Sequence, residues 1–154
     1  MEGFMLLWDF APLLKTKLIY LAMIGQMLIA IYCYTAMSRA RVSAGKAKRI
    51  KPDDYKATHN EPEDLRVLTR AVANQFEMPV IFYALMLAVL TAATQSWITV
   101  VLAWLFVILR FVHAREMISS NRVLLRRKIF IQSARVLLLM VVEFTLVMLF
   151  ATAL

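Results

Sequence analysis

Residues 70–82 read RAVANQFEMPVIF and run into the apolar segment VIFYALMLAVLTAAT. Within this stretch, Arg70, Asn74 and Glu77 are spaced by four and then three residues. Side chains at these spacings lie on one face of an α-helix. The stretch therefore predicts a guanidinium, an amide and a carboxylate together at the mouth of a membrane-spanning helix. Charged groups there are costly, and they usually face the bundle interior and serve a function.

The whole chain is more apolar than a soluble domain. Of its 154 residues, 62% are hydrophobic, compared with about 45–50% in soluble proteins. Only 3 residues are glycine, so the apolar content is neither fibrous nor low-complexity. Length and composition predict one domain, embedded in a membrane.

The apolar runs predict an all-α integral membrane four-helix bundle over residues 1–154. The spans are expected at about residues 16–38, 64–94, 97–117 and 122–153, each long enough to cross a bilayer. A basic loop over residues 39–60 joins the first two. The later connections are short, which makes neighbouring helices antiparallel. Pro79 predicts a bend beside Glu77, because proline lacks the amide hydrogen that a helix needs.

The basic residues are concentrated at one end of this bundle. The formal net charge is +8, and only Lys15 and Lys17 of the 18 Lys and Arg residues precede the first apolar run, which begins at Leu18. The others lie within residues 39–70 and 110–135, which fall on the same side in a four-span layout. This is the positive-inside pattern, and it predicts that the basic loops are cytoplasmic and contact lipid headgroups. The pattern accounts for the positive charge without binding to nucleic acid.

The tight turn at Gln95 and Ser96 allows depths in neighbouring helices to be compared. Glu77 lies 18 residues before Gln95 and Arg110 lies 15 residues after it. At 1.5 Å per residue, both side chains are roughly 22–27 Å from the turn. The spacing predicts that Glu77 and Arg110 face each other as an ion pair. By the same count Asn74 and His113 lie at similar depths.

The fourth helix adds further cations to this region. Arg122 and Arg126 share one face, and Arg126 is expected to face the cluster of Asn74, Glu77, Arg110 and His113. For Arg127 and Lys128 we expect snorkelling towards headgroups. Deeper in the spans, Gln26 is expected to hydrogen-bond within the bundle, while Glu143 suits helix packing or a crevice at the far side.

Convergent arginines form an anion site, because a guanidinium binds carboxylates in a planar, bidentate manner. A nearby cation also favours the thiolate form of a thiol, which is the nucleophilic form. With Glu77 as a partner for an ammonium group, the set suits a small zwitterionic peptide. The alternative is an internal polar network that fixes helix register. Metal binding is not expected, because the chain has one cysteine and no metal-ligand spacing.

These residues resemble the MAPEG family, the membrane-associated proteins in eicosanoid and glutathione metabolism. The resemblance rests on RxxxNxxE followed by Pro79, on LRFVHA at the end of the third span, and on the basic start of the fourth. It covers nearly the whole chain, and ANQFEMPVIFYAL is most similar to the prokaryotic members.

The resemblance implies a homotrimer whose subunits bind glutathione near the cytoplasmic side. It implies a transferase or peroxidase acting on a lipophilic small molecule, with the protein in a bacterial inner membrane. Arg126 matches the arginine that activates the thiol. Glutathione or another anion would be bound by the remaining matching or neighbouring polar residues: Arg39, Arg70, Asn74, Glu77, Arg110, His113 and Arg122.

Three positions differ from the glutathione-binding members that resemble prostaglandin E synthase. Ala73 stands in place of an arginine, and Met117 and Phe130 stand in place of tyrosines. These differences leave two alternatives open: a MAPEG-fold protein that binds another anionic amphiphile or lipid, and a non-catalytic membrane bundle.

Overall fold

The structure is a computed structural model, and it describes residues 2–56 and 61–150. All regular elements in these residues are helical: α1 (Glu2–Lys46), a short 3-10 helix (Pro52–Lys56), α2 (Glu63–Ala73), α3 (Met78–Thr91), α4 (Trp97–Ile118) and α5 (Val123–Phe150). With α2 and α3 counted as one segment, four helical segments are long and apolar enough to cross a membrane. The predicted all-α four-helix bundle is confirmed, while the predicted end of the last span at residue 153 lies outside the described residues.

The first helix is longer than the sequence predicts. Residues 39–46, expected to open the basic loop, continue α1 to Lys46. This extension is packed, because Ala44 forms a small buried cluster with Ile50 and Leu65 of α2. Arg41 pairs with Glu61 at 2.5 Å. The helix therefore continues beyond the membrane span, where its neighbours cover one face.

The second span is broken, whereas the sequence predicts a continuous helix with a bend. α2 ends at Ala73, and α3 begins at Met78. Glu77 has φ −99° and ψ −102°, outside the helical region, with Pro79 in the first turn of α3. Because proline lacks an N–H and crowds the carbonyl four residues earlier, the chain leaves the helix instead of bending within it.

Helix α4 lies between the other helices and contacts α1, α2 and α5. Its core face is closely packed, with the rings of Phe82 and Phe106 stacked at a centroid distance of 4.7 Å. The prediction for Gln26 is confirmed, since its buried amide donates to Oε1 of Gln75 at 3.1 Å. This bond joins the first span to the segment between α2 and α3.

Glu143 joins two helices at the end of the bundle opposite the basic residues. Ser96 caps α4 in a capping box with Thr99. The hydroxyls of Ser96 and Thr99 donate to Oε1 of Glu143 at 2.5 and 2.8 Å. A carboxylate beside a helix N-terminus also interacts favourably with the helix dipole. Glu143 thus fastens α5 to the start of α4, which is a packing role.

We expect Glu143→Leu to lower the free energy of unfolding by about 2 kcal/mol, because it leaves two hydroxyls without their acceptor. Reversible unfolding in mixed detergent micelles measures the change. Thr145→Val is the matched control, because among the described residues Thr145 donates only to the carbonyl of Val141 in its own helix. A Glu143→Leu protein as stable as this control would contradict the assignment.

Candidate functional site

A cavity lined by both charged and apolar side chains opens at the basic end of the bundle between α2, α4 and α5. Its volume is about 450 Å³. It is lined by ten residues: Arg70, Ala73, Asn74, Glu77, His113, Met117, Val123, Arg126, Arg127 and Phe130. The side chains predicted to converge from separate spans therefore share a cavity in part, and we call it the basic pocket.

The break in the second span shapes one wall of the basic pocket. Arg70 is in the last turn of α2, Asn74 is its C-cap, and Glu77 precedes α3. The sequence prediction placed these three residues on one helical face. They line the same pocket, but Asn74 and Glu77 do so from an irregular segment between two helices.

Arg126 is held by a neighbouring amide. Its Nη1 donates to Oδ1 of Asn121 at 2.5 Å. Asn121 has φ 48°, a left-handed conformation that asparagine tolerates better than most residues. The sequence analysis did not connect Asn121 with Arg126, so the residue that positions Arg126 was missed. Arg127 was also missed as a site residue. Its side chain was expected to extend towards lipid headgroups, but it lines the pocket.

Arg110 does not line the pocket and does not pair with Glu77. Its side chain is fully buried, and Nη2 donates to the main-chain carbonyl of Asn74 at 2.6 Å. Within residues 2–56 and 61–150 no ion pair joins Arg110 to Glu77. The predicted pair is wrong because the helix break exposes a carbonyl, and the guanidinium binds that carbonyl instead.

Arg122 also lies outside the pocket lining. Its Nε and Nη2 donate to the two carboxylate oxygens of Glu116 at 2.8 and 3.1 Å. These hydrogen bonds raise the pKa of Arg122 above its ordinary value. Arg122 was predicted to share a site with Arg126. Instead, its guanidinium binds Glu116 near the end of α4, and only Arg126 of the two lines the pocket.

Two other predicted site residues are exposed. Arg39 on α1 does not line the basic pocket of its own chain. Arg70 lines it but is bound to Glu63 at 2.9 Å. The positive charge of Arg70 is therefore already partly compensated by Glu63 before any ligand binds.

The inner wall of the pocket contains aromatic and apolar groups. His113 is nearly buried, and its ring centroid lies 5.7 Å from that of Phe130. Nδ1 of His113 has no hydrogen-bond partner among the described residues. The sulfur of Met117 accepts from Nδ2 of Asn74 at 3.4 Å. The three positions singled out as differences, Ala73, Met117 and Phe130, all line this pocket.

The described residues contain no group of three or more His, Cys, Asp or Glu side chains that could hold a metal ion. The lining of the pocket offers guanidinium, amide, imidazole and carboxylate groups. These groups bind an anion, or a zwitterion whose ammonium contacts Glu77.

The fold and the pocket together define an integral, multi-pass membrane protein with a candidate anion site at its basic end. The family profile described as MAPEG family matches residues 18–146, and the chain belongs to this family. The resemblance found in the sequence is thereby confirmed at the level of the family, whose members act in glutathione and eicosanoid metabolism. No curated protein and no solved structure gives a match to the chain.

We expect Asn121→Ala to be less stable than Asn121→Gly by about 1 kcal/mol, because only glycine adopts a left-handed conformation without strain. Both changes remove the contact with Arg126, so their difference isolates the backbone. Thermal unfolding in detergent measures the difference in stability between the two variants.

Ser119 provides the comparison, since its φ of −96° is ordinary. Alanine should be at least as stable as glycine there. Equal stability of the two Asn121 variants would refute the backbone argument.

Proposed function

We propose that the protein is a glutathione-dependent transferase or peroxidase that acts on lipophilic electrophiles reaching it from the bilayer. The observation that carries this proposal is the shared lining of one pocket by Asn74, Glu77, His113 and Arg126 in a chain of the MAPEG family. Glutathione would be the co-substrate, and no metal would take part.

The pocket offers complementary groups for each charged part of this tripeptide. Glutathione carries two carboxylates, one ammonium group and one thiol. Arg70 and Arg127 would bind carboxylates through charge-assisted hydrogen bonds. Glu77 would accept from the ammonium group, and the side-chain amide of Asn74 would contact the peptide backbone.

Arg126 is proposed as the catalytic residue. A guanidinium beside the sulfur lowers the pKa of the bound thiol, so that the thiol loses its proton to solvent. In the transferase reaction the thiolate then attacks the electrophilic carbon and forms a carbon–sulfur bond, while the bond from that carbon to its leaving group breaks and the departing anion takes a proton from solvent. Asn121 holds one nitrogen of Arg126, which reduces the freedom that the arginine would lose on binding.

The location of the protein and its oligomeric state are also proposed. We propose a homotrimer in a bacterial inner membrane, with the basic end in the cytoplasm, as the resemblance implies. The exposed Arg39 would in that case have to contact glutathione bound in a neighbouring subunit. Within its own chain it lies outside the basic pocket.

The direct test is the ultraviolet absorbance of a thiolate after glutathione is added to the purified protein. We expect the band in the wild type and at least a tenfold loss in Arg126→Ala, since a hydrogen bond to a charged group contributes about 1.5–3 kcal/mol. Lys128→Ala, which removes an exposed neighbouring cation, serves as the matched control. Equal bands in the two variants would exclude the role of Arg126.

A second candidate is supported by the apolar lining at Ala73, Met117 and Phe130. These side chains offer no strong hydrogen bond to a peptide, but they would pack against an alkyl chain. The pocket would then bind an anionic amphiphile with one carboxylate, such as a fatty acid.

Competition in the basic pocket distinguishes the two candidates. If glutathione is the ligand, excess glutathione is expected to displace a spin-labelled fatty acid bound in the basic pocket and to give the thiolate band, because the two ligands compete for the same arginines. Displacement of the fatty acid by a short alkyl carboxylate, with no response to excess glutathione and no thiolate band, would favour the second candidate.

A further inference from the structure

We infer that an ordered water molecule binds in the interior of the bundle, between Gln26 of α1 and Arg110 of α4, behind the wall of the basic pocket. Both side chains are fully buried. Neither of them lines the basic pocket. The inferred site belongs to the chain whether or not glutathione binds, so it does not rest on the proposed function.

The two side chains have hydrogen-bonding atoms that the chain does not satisfy. Oε1 of Gln26 and both Nε and Nη1 of Arg110 are buried, and none of the three atoms has a hydrogen-bond partner among the described residues. Buried polar atoms in proteins are almost always paired, either with other protein groups or with ordered water. These three atoms therefore indicate a ligand from outside the chain.

Gln26 and Arg110 approach the same point of the chain from two different helices. Nε2 of Gln26 donates to the side-chain oxygen of Gln75 at 3.1 Å. Nη2 of Arg110 donates to the main-chain carbonyl of the preceding residue, Asn74, at 2.6 Å. The atoms without a partner therefore border one interior region, enclosed by α1, α4 and the segment between α2 and α3.

The register of α1 and α4 also brings the two side chains to similar depths. A Cβ at Gly25 would lie 3.3 Å from Cγ1 of Val107, and Arg110 follows Val107 by three residues on the same face of α4. Cys33 follows Gln26 by seven residues, and its buried thiol is close enough to Arg110 to interact with it electrostatically. Arg110 therefore lies between the levels of Gln26 and Cys33.

The neighbouring hydrogen bonds determine which atom of Gln26 is free. Nε2 of Gln75 donates to the carbonyl of Ala71 at 3.1 Å, and a carbonyl can only accept a hydrogen bond. Gln75 must therefore present its amide oxygen to Gln26, which donates to it with Nε2. The atom that Gln26 leaves free is consequently an oxygen, and it is an acceptor.

This combination of free groups selects the ligand. Arg110 offers two donors and Gln26 offers one acceptor. A water molecule can accept from the guanidinium and donate to the amide oxygen, so it satisfies both kinds of group. A small anion would be attracted by Arg110 but repelled by the oxygen of Gln26, and a metal cation would be repelled by the guanidinium. Water is the ligand that matches the whole set.

A water molecule at this site has a structural consequence. It would link α1 to α4 and hold the guanidinium in the orientation in which Nη2 binds the carbonyl of Asn74. That carbonyl belongs to the segment that forms one wall of the basic pocket. The water would therefore support the pocket from behind without contacting a ligand.

Radiolytic labelling with synchrotron X-rays tests the inference on the full chain in detergent. The X-rays produce hydroxyl radicals from water, so a buried side chain is oxidised where ordered water lies beside it. Cys33 is the reporter, because its sulfur is fully buried and close to Arg110. Met140 is the reference, because its reactive sulfur is equally buried but lies one turn before Glu143, at the opposite end of the bundle. Mass spectrometry should show that Cys33 is oxidised several times faster than Met140.

Two variants separate the water site from the contact between the helices. Gln26→Leu removes the acceptor, so the oxidation of Cys33 should fall to about the rate of Met140. Gln75→Leu is the matched control, because it also removes the bond between the two glutamines but leaves the amide of Gln26 and the guanidinium of Arg110 in place. The oxidation of Cys33 should therefore persist in Gln75→Leu.

Two results would overturn the inference. The first is a wild-type protein in which Cys33 is oxidised no faster than Met140, a comparison that does not depend on the folding of any variant. The second is a Gln26→Leu protein that is folded by circular dichroism and keeps the wild-type rate at Cys33, since solvent would then reach the thiol by another route. Neither measurement uses glutathione, so the thiolate band stays an independent test of the proposed function.

Discussion

The architecture of the candidate site depends on the contact between Arg110 and the main-chain carbonyl of Asn74. A helix break within a membrane span leaves backbone groups that have no water to bind, and each needs an internal partner. The buried guanidinium provides one at 2.6 Å. Because the carbonyl of Asn74 has a hydrogen-bond partner, the chain can leave the helix at this point, and Asn74 and Glu77 line the basic pocket.

Arg110 is fully buried and forms no ion pair with a carboxylate in the part of the chain that the structure describes, which is unusual because desolvation of a charge is costly. Nε and Nη1 of Arg110 have no hydrogen-bond partner among the described residues. The contact with Asn74 therefore compensates only part of that cost. Phe106 and Ala103 are fully buried on the same helix, so apolar packing also holds α4 in place.

The sequence predicted the spans and much of the pocket, because apolar length and residue spacing determine depth in a bilayer. Counting from Gln95 placed Asn74 near the depth of His113, and both line the pocket. The partner of Arg110 could not be predicted in this way, since a carbonyl freed by a helix break has no residue type of its own. Likewise, Arg122 shares a helical spacing with Arg126, but spacing does not reveal that Glu116 binds it.

The two ends of the bundle differ in how firmly their helices are joined. Glu143 ties α5 to the N-terminus of α4 at one end, and the short link containing Asn121 ties the same two helices at the other. These helices therefore form a stiff hairpin. The opposite wall of the pocket is anchored separately, because Arg110 binds the carbonyl of Asn74 and Gln26 binds Gln75. A ligand would therefore enter a cavity whose walls are already fixed before it binds.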